Sequence, residues 1–424
     1  VQRGRTTTDQ VKAQASSEIL QLPAGPLTIV AGGESRKEKM DQVLAAVITS
    51  GDVLGGGGNV QSQSGRREAQ ALFGELDIPI VTSLQGSLAI RHDRYSDFGN
   101  TTNPKAGLRW RPSKALLLRA AYGTGFRAPS LPELYTPTLQ GNTAGLHSDP
   151  ERCLTTELPT DCGRQFNTRQ GGNPNLKPEK SFQYTLGAII EPTPTFSCAL
   201  DYFDIRLEDQ IQVVNESTIF GNYSQYGSTN VVRGPVDPRY PALPGPILYV
   251  LTPYDNLGES HLAGFDIDLK ANAQFAGGDK LTAFLTGTYF HKYEIRKMDG
   301  SYSNIVGRAS APYGAIVRWR HSLSVNWQSG PWEITLSQNY QKGYVDQNLD
   351  PRGTQRKVAG YETWDAQVSH KGLHEGLTLT FGIRNLLNRR PPFSNQQSTY
   401  QVGYDPSYAD PRGRLTYALA KYQY

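Results

Sequence analysis

Apolar and polar residues alternate with period two through much of the chain. Between Lys114 and Gly125, Leu116, Leu118, Ala120 and Tyr122 share one face, and Leu117, Arg119, Ala121 and Gly123 share the other. Phe182, Tyr184, Leu186, Ala188 and Ile190 oppose Ser181, Gln183, Thr185 and Gly187. Trp332, Ile334, Leu336 and Tyr340 oppose Glu333, Thr335, Ser337 and Asn339, while Leu377, Leu379, Phe381 and Ile383 oppose Thr378, Thr380, Gly382 and Arg384. Leu84, Leu88 and Ile90 oppose Ser83, Gln85, Ser87 and Arg91. Each run predicts a strand with one oily face and one small or polar face. A soluble sandwich alternates in the same way, so the pattern alone leaves sandwich and barrel open.

The connections separate the two. Short turns fall near Leu22–Gly25, Asp77–Pro79, Arg111–Ser113, Glu191–Pro194, Ala276–Asp279, Gln328–Pro331 and Lys371–Gly376. Between them lie long loops, near 37–64, 127–178, 210–246, 293–310, 345–357 and 389–411, with a short exception at Phe98–Thr102. Tight turns at one rim and long loops at the other are the habit of outer-membrane barrels. The predicted fold is an all-β, antiparallel transmembrane barrel with about 15 strands present. With the short turns on the periplasmic side, the closing strand Arg414–Tyr424 runs downward, as does a first strand near 9–21, so the N-terminus starts outside. Bacterial single-chain barrels have even strand numbers, so an odd count implies missing strands or one miscounted.

Composition agrees. Apolar residues make up 37% and aromatics 10%, with 43 glycines. No run of 18 apolar residues can form a membrane helix. That balance suits a barrel in which only every second strand residue meets lipid. The net charge of +4 is spread along the chain and points to no nucleic-acid partner. Cys153 and Cys162 share one polar loop and could staple it in an oxidising compartment, the alternative being two free thiols. Cys198 lies with Phe196, Leu200 and Tyr202 as a small apolar strand residue. The start, Val1-Gln2-Arg3-Gly4, has neither initiator Met nor the apolar core of a signal peptide. That leaves a processed chain or a piece of a longer one.

Several segments resemble, in order, TonB-dependent outer-membrane receptors. Ala121-Tyr-Gly-Thr-Gly-Phe-Arg-Ala-Pro-Ser-Leu-Pro-Glu-Leu-Tyr135 resembles the family's opening of a large outside loop. Asn103-Pro-Lys-Ala-Gly-Leu-Arg-Trp-Arg-Pro112 leads into it, and Asn173-Pro-Asn-Leu-Lys-Pro-Glu-Lys-Ser181 resembles the return. Glu75–Pro79 with Arg91–Gly99, Asn256–Leu269, Gly382–Asn388 with Pro391–Phe393, and Gly413–Tyr417 resemble other strands of that family. The likeness runs from about residue 25 to the C-terminus. It implies that Tyr424, with Tyr422 two residues before it, stands where the family ends in an aromatic assembly signal read by the barrel assembly machinery. It also implies a barrel of about 22 strands, of which residues 1–424 would be the C-terminal portion. The family's plug domain and TonB box have no counterpart before residue 9.

The resemblance implies an outer-membrane active importer of a Gram-negative bacterium, energised by TonB through the plug. The cargo would be a scarce large solute, most readily a ferric siderophore. Cobalamin or an oligosaccharide are alternatives, and a passive porin-like barrel is a second class. Capture residues are expected in the longest loops: Tyr135, His147, Arg152, Arg164 and Arg169 in 127–178, and Tyr223 and Tyr226 in 210–246. Aromatics grip flat apolar surface, and Arg offers forked donors to anionic chelates. Gly123, Gly125, Arg127 and Pro129 are expected to shape the strand end. No catalytic, metal or cofactor site is expected. The seven His are scattered, and no nucleophile elbow, HExxH or phosphate loop appears. Asp266 and Asp268 share a strand face, as lumen lining would.

Overall fold

The computed structural model describes residues 2–50, 61–297, 300–310, 313–395 and 402–423. Fifteen strands follow one another in chain order along a single antiparallel sheet. They are β1 (Gln2–Leu22), β2 (Gly25–Leu44), β3 (Gln63–Val81), β4 (Leu84–Tyr95), β5 (Gly99–Ser113), β6 (Leu116–Arg127), β7 (Glu179–Thr193) and β8 (Phe196–Val213). After these come β9 (Tyr254–Gln274), β10 (Lys280–Arg296), β11 (Trp319–Ser329), β12 (Trp332–Gln341), β13 (Tyr361–Lys371), β14 (Leu377–Arg384) and β15 (Leu415–Tyr422). Among the described residues no ladder joins β1 to β15. No helix among them is long and apolar enough to cross a membrane, which leaves crossing by strands untouched.

The strands are taller than a bilayer requires. β1, β2, β3 and β9 have 21, 20, 19 and 21 residues, whereas about 9–11 tilted residues cross the hydrocarbon. The excess corrects the expected boundaries. β1 begins at Gln2 and not near residue 9, and β2 stays paired on both sides well past residue 37. The turn placed at Asp77–Pro79 is strand; the chain reverses after Val81. Pro79 is tolerated there because the ladder to β4 is irregular between Pro79 and Val81, where a missing N–H costs least. Likewise Arg111–Ser113 belongs to β5, with a register shift between Trp110 and Ser113.

Register fixes the two faces. Gln85, Arg109, Arg119, Gly187, Asp201, Asp266 and Thr288 stand side by side across seven strands. Arg109 donates to Gln85 at 3.1 Å, Arg119 forms a two-pronged bridge to Asp201 at 2.7 and 2.5 Å, and Thr288 donates to Asp266 at 2.7 Å. The Arg119–Asp201 bridge spans the strand between them because Gly187 has no side chain; a Cβ there would overlap the Asp201 carboxylate. The opposite face carries Leu108, Trp110, Leu118, Leu186, Leu200 and Phe265, which line one open apolar groove. Leu336 belongs to this oily face, beside Val325 and Ala366, and is 40% exposed. Its neighbour Ser337 points the other way and donates to Ser324 at 3.2 Å.

The interior is therefore polar and the outside apolar, the reverse of a soluble sheet protein. Leu336→Arg is expected to cost about 2–4 kcal/mol in reversible unfolding from lipid bilayers. Ser337→Arg should cost far less, and equal costs would reverse the assignment of the faces.

Candidate functional site

The rim with the long loops starts from a latch. Arg127, the last residue of β6, donates to Glu179, the first residue of β7, at 2.8 and 2.6 Å. The same guanidinium donates to Glu133 at 3.0 and 3.1 Å. Glu133 lies in the short helix Leu131–Tyr135 and accepts from the Ser130 N–H at 2.6 Å, while the Ser130 hydroxyl accepts from the Glu133 N–H at 3.3 Å. This reciprocal pair is a capping box. One arginine thus ties the start of the 128–178 loop to its end. Burial works to raise the Glu133 pKa, but the bonds from Arg127 and Ser130 together outweigh it and hold the carboxyl below its ordinary 4.5.

Pro129 joins this latch to the wall. Its carbonyl accepts from Arg67 of β3 at 2.5 Å. Arg67 also pairs with Glu38 at 2.6 Å, Arg36 with Glu38 at 2.8 Å, and Arg91 with Glu34 at 3.2 Å and Asp93 at 2.9 Å. Half-buried charges on three adjacent strands are thereby neutralised inside the cylinder. Phe126 leans over the one short outer turn, against Tyr95 and Phe98.

Two long loops fold together as a cap. Leu139–Asn142 and Asn167–Gln170 from the first form a four-stranded sheet with Val231–Arg233 and Ile247–Leu251 from the second. Phe166, Val214, Ile219, Tyr226, Val231 and Val250 make its apolar centre. Around this centre Arg233 donates to Asp149 at 2.7 and 2.8 Å and to the Tyr223 hydroxyl at 2.7 Å. Arg152, only 2% exposed, donates to Asp161 at 3.1 Å and to the Pro244 carbonyl at 2.7 Å. Burial alone would lower the Arg233 pKa, but the bonds to Asp149 and Tyr223 raise it on balance. Cys153 and Cys162 are joined by a disulfide that closes the bend between them.

A second cap uses Gly314–Ile316, Arg308–Ser310, Tyr344–Leu349 and Gln355–Val358 as another four-stranded sheet. Tyr344, Tyr361 and Tyr408 pack in its core with Val317 and Val358. Burial pushes the Tyr344 phenol up to about 12. The returning strand is seated by Asn385 and Asn388, both left-handed. The Asn385 N–H donates to Asp365 at 2.8 Å, and Asn388 accepts from the Arg414 N–H at 3.0 Å.

The candidate capture residues are brought together in the first cap but differ in what they present. Arg164 is exposed, its plane near the Phe166 ring at 5.4 Å. His147 stacks on Phe220 at 4.5 Å, and Arg169 covers Tyr249 at 3.8 Å. Tyr223 donates to Glu151 at 3.1 Å. Arg152 and Tyr226 are buried in the cap and hold it from within. Tyr135 stands apart, its ring over Gly65 of β3. Of the two terminal tyrosines, Tyr422 is exposed on β15, and Tyr424 lies outside the described residues. No cluster of three or more His, Cys, Asp or Glu suited to a metal occurs among the described residues. The latch was missed in the sequence; Ser130-Leu-Pro-Glu133, an S-x-x-E start signal, could have revealed its capping box, but not the pairing of Arg127 with Glu179. The pairing of Asp149 with Arg233, 84 residues away, carried no local signal.

A family profile described as TonB dependent receptor-like, beta-barrel, matches residues 4–386. Among solved structures, the siderophore receptor PirA from Acinetobacter baumannii is similar at TM-score 0.69 and 16% identity, over 99% of this chain and 55% of that one. A mutant of the ferric enterobactin receptor PfeA from Pseudomonas aeruginosa, in complex with enterobactin, is similar at TM-score 0.66 and 18% identity, over 99% of this chain and 54% of that one. The chain thus spans about half the length of the structures it matches. At these identities the likeness establishes the fold.

Two outcomes are expected from the latch and the cap. Because the Glu133 pKa is lowered, its contribution is complete above 4.5 and is lost as pH falls through the lowered value. Hydrogen-exchange protection of 128–135 should therefore drop between pH 6.5 and pH 3.5, and Arg127→Gln should lessen that pH dependence, the bonds from Ser130 remaining. Asp149→Ala leaves the Arg233 guanidinium only the exposed Glu151 carboxylate, 3.0 Å away, as its ion partner, and should lower the local stability of 143–170 and 231–251 by about 1–3 kcal/mol in the same measurement. An unchanged exchange pattern would mean that the apolar centre alone holds the cap.

Proposed function

We propose, for a chain that belongs to the TonB-dependent receptor β-barrel family, that it is the barrel part of an active importer which captures a ferric siderophore outside the cell. Proteins of this family are transporters and not enzymes, and are outer-membrane barrels of Gram-negative bacteria. The observation that carries the reading is the asymmetry of the two rims. One has tight turns; the other carries two folded caps, each with its own small sheet, above a polar lumen. A passive pore has no use for elaborate structure over its mouth, whereas a receptor for a rare solute needs a shaped collecting surface.

A barrel of about 22 strands is too wide to fill with its own side chains and is normally plugged. We propose this chain as the C-terminal portion of such a barrel, a reading supported by its half-length match and by a sheet whose end strands do not pair among the described residues. A plug blocks passive flow, so uptake in this reading draws on TonB of the inner-membrane energising complex. Outer-membrane lipid surrounds the apolar face. In the first cap, exposed Arg164 and half-exposed His147, Arg169 and Tyr223 form the proposed collecting surface, with Tyr135 at its base. Arg152 and Tyr226 set its shape. Tyr422 and Tyr424 are proposed as the assembly signal.

The structural neighbours named siderophore and ferric enterobactin receptors favour iron chelates over cobalamin or oligosaccharide. Deleting the gene is expected to abolish uptake of radio-iron from one class of ferric chelate in iron-starved cells, and a TonB-deficient strain should show the same loss. Unchanged iron uptake with impaired cobalamin or oligosaccharide uptake would replace the cargo. Uptake that survives loss of TonB would replace the importer with a pore.

A further inference from the structure

Most arginines that line the cylinder are spoken for. Arg36, Arg67, Arg91, Arg119 and Arg127 each hold a carboxylate at 2.5–2.9 Å, and Arg109 donates to the Gln85 amide oxygen. Arg320 on β11 and Arg384 on β14 differ. Both are exposed and both lie on the polar face, since Arg320 stands beside Thr288 and Gln341, and Arg384 beside Leu415 in the row next to Gly382 and Tyr417. Among the described residues neither makes an ion pair, and Arg384 is merely placed over the Tyr417 ring at 5.7 Å.

Two adjoining polar recesses contain them. Arg384 lines one of about 300 Å³ with Thr363, Tyr361 and Arg412. Arg320 lines one of about 390 Å³ with Thr286 and Thr288. Asn339 and Gln341 line both, so the recesses form one cleft near the top of the lumen. The last outside loop roofs it. The Tyr408 hydroxyl lies 3.1–3.2 Å from the carbonyls of Gln341, Lys342 and Ala359, and Tyr361 donates to the Asp410 carbonyl at 3.1 Å. Two carboxylates share the lining of the first recess: Asp410 is clamped by Arg412 at 2.6 Å, and Asp365 accepts from the Asn385 N–H at 2.8 Å and keeps its charge, with no ion pair to Arg384. What remains unspent is a pair of planar cationic forks in a hydroxyl- and amide-lined cleft. Such forks match anionic oxygens two at a time.

We propose that this cleft is a subsite for the anionic oxygens of the captured chelate, received by Arg320 and Arg384 beneath the last outside loop. The assignment rests on the importer reading and adds to it a place and a charge class. It differs from the first cap, where Arg152 and Arg233 are consumed by the cap's own carboxylates.

The test uses the full-length receptor in detergent and two probes of opposite character, a trianionic iron(III) tris-catecholate and a neutral iron(III) tris-hydroxamate, with binding followed by intrinsic fluorescence. Arg320→Gln and Arg384→Gln are each expected to weaken the catecholate by at least about tenfold and to leave any hydroxamate binding unchanged. Arg206→Gln, on the outer face of β8, should alter neither. Arg320→Lys and Arg384→Lys keep the charge without the fork and should fall between, which also serves if a glutamine variant fails to assemble. Catecholate bound equally well by wild type and by both arginine variants would overturn the subsite and leave the importer intact. Wild type that binds only the hydroxamate would overturn the charge class. Wild type that binds neither would sink the ferric-chelate reading, and the subsite with it.

Discussion

Hydrocarbon offers no hydrogen bonds, so a backbone that crosses it must satisfy every N–H and C=O from within the protein. A sheet of neighbours paired in chain order meets that demand over fifteen strands. The side-chain pattern follows from the pairing. With period two, whatever faces lipid must be apolar, and its immediate neighbours are forced inward. Leu336 beside Ser337, or Leu118 beside Arg119, is that rule written in adjacent residues. The inside then fills with groups that need partners, and the Gln85-to-Thr288 row shows them finding partners across strands. Gly187 serves this row by its missing side chain, which lets an arginine and an aspartate two strands apart meet.

Beyond the bilayer the constraint relaxes and a different problem appears. Loops as long as 128–178 lose much conformational entropy when ordered, and hydrophobic burial alone is scant in so polar a segment. The chain answers with paired buried charges. Arg233 with Asp149 and Arg152 with Asp161 are worth little as net stabilisation against an apolar substitute, yet leaving either member alone is costly. They therefore act as registration devices: Arg233 with Asp149 joins the two loops, and Arg152, paired with Asp161 in its own loop, reaches the other through the Pro244 carbonyl. The disulfide and the Arg127 latch narrow the alternatives further, and Arg67 transmits the latch to the wall through the Pro129 carbonyl.

This division explains what could be read from the sequence. The strands were legible because lipid imposes a strict period on Leu336, Leu379 or Leu186, and a strict period survives without knowledge of neighbours. Their upper ends were less so. Above the hydrocarbon β1 and β2 no longer need an oily face, so residues such as Lys37, Glu38 and Lys39 resemble loop although they remain in the ladder. The proline at position 79 suggested a turn for the same local reason, and an irregular ladder absorbed it. The caps were opaque. Their sheets join segments distant in the sequence, as when Val250 pairs with Thr168 and Arg308 with Val345, and nothing local marks Arg152 as buried and Arg164 as open. Capping signals such as Ser130 with Glu133 are the exception, because both partners sit within one turn.

A consequence for recognition follows from where donors are already spent. Arginine in a loop is easily taken for a ligand group, yet a guanidinium that holds a buried carboxylate has little left to offer, and withdrawing it would unfold the surface it belongs to. In the proposed reading, the cap's architecture and the binding of charge fall to different side chains. Exposed groups such as Arg164 can change without disturbing the cap, whereas Arg233 cannot. Arg320 and Arg384, which make no ion pair among the described residues, sit lower, against the wall of the cylinder, where strand register and not loop packing holds them in place. Rigid strands set donor positions more closely than loops do. In the proposed reading, the collecting surface can vary freely while the arginines proposed to read charge stay fixed to the barrel.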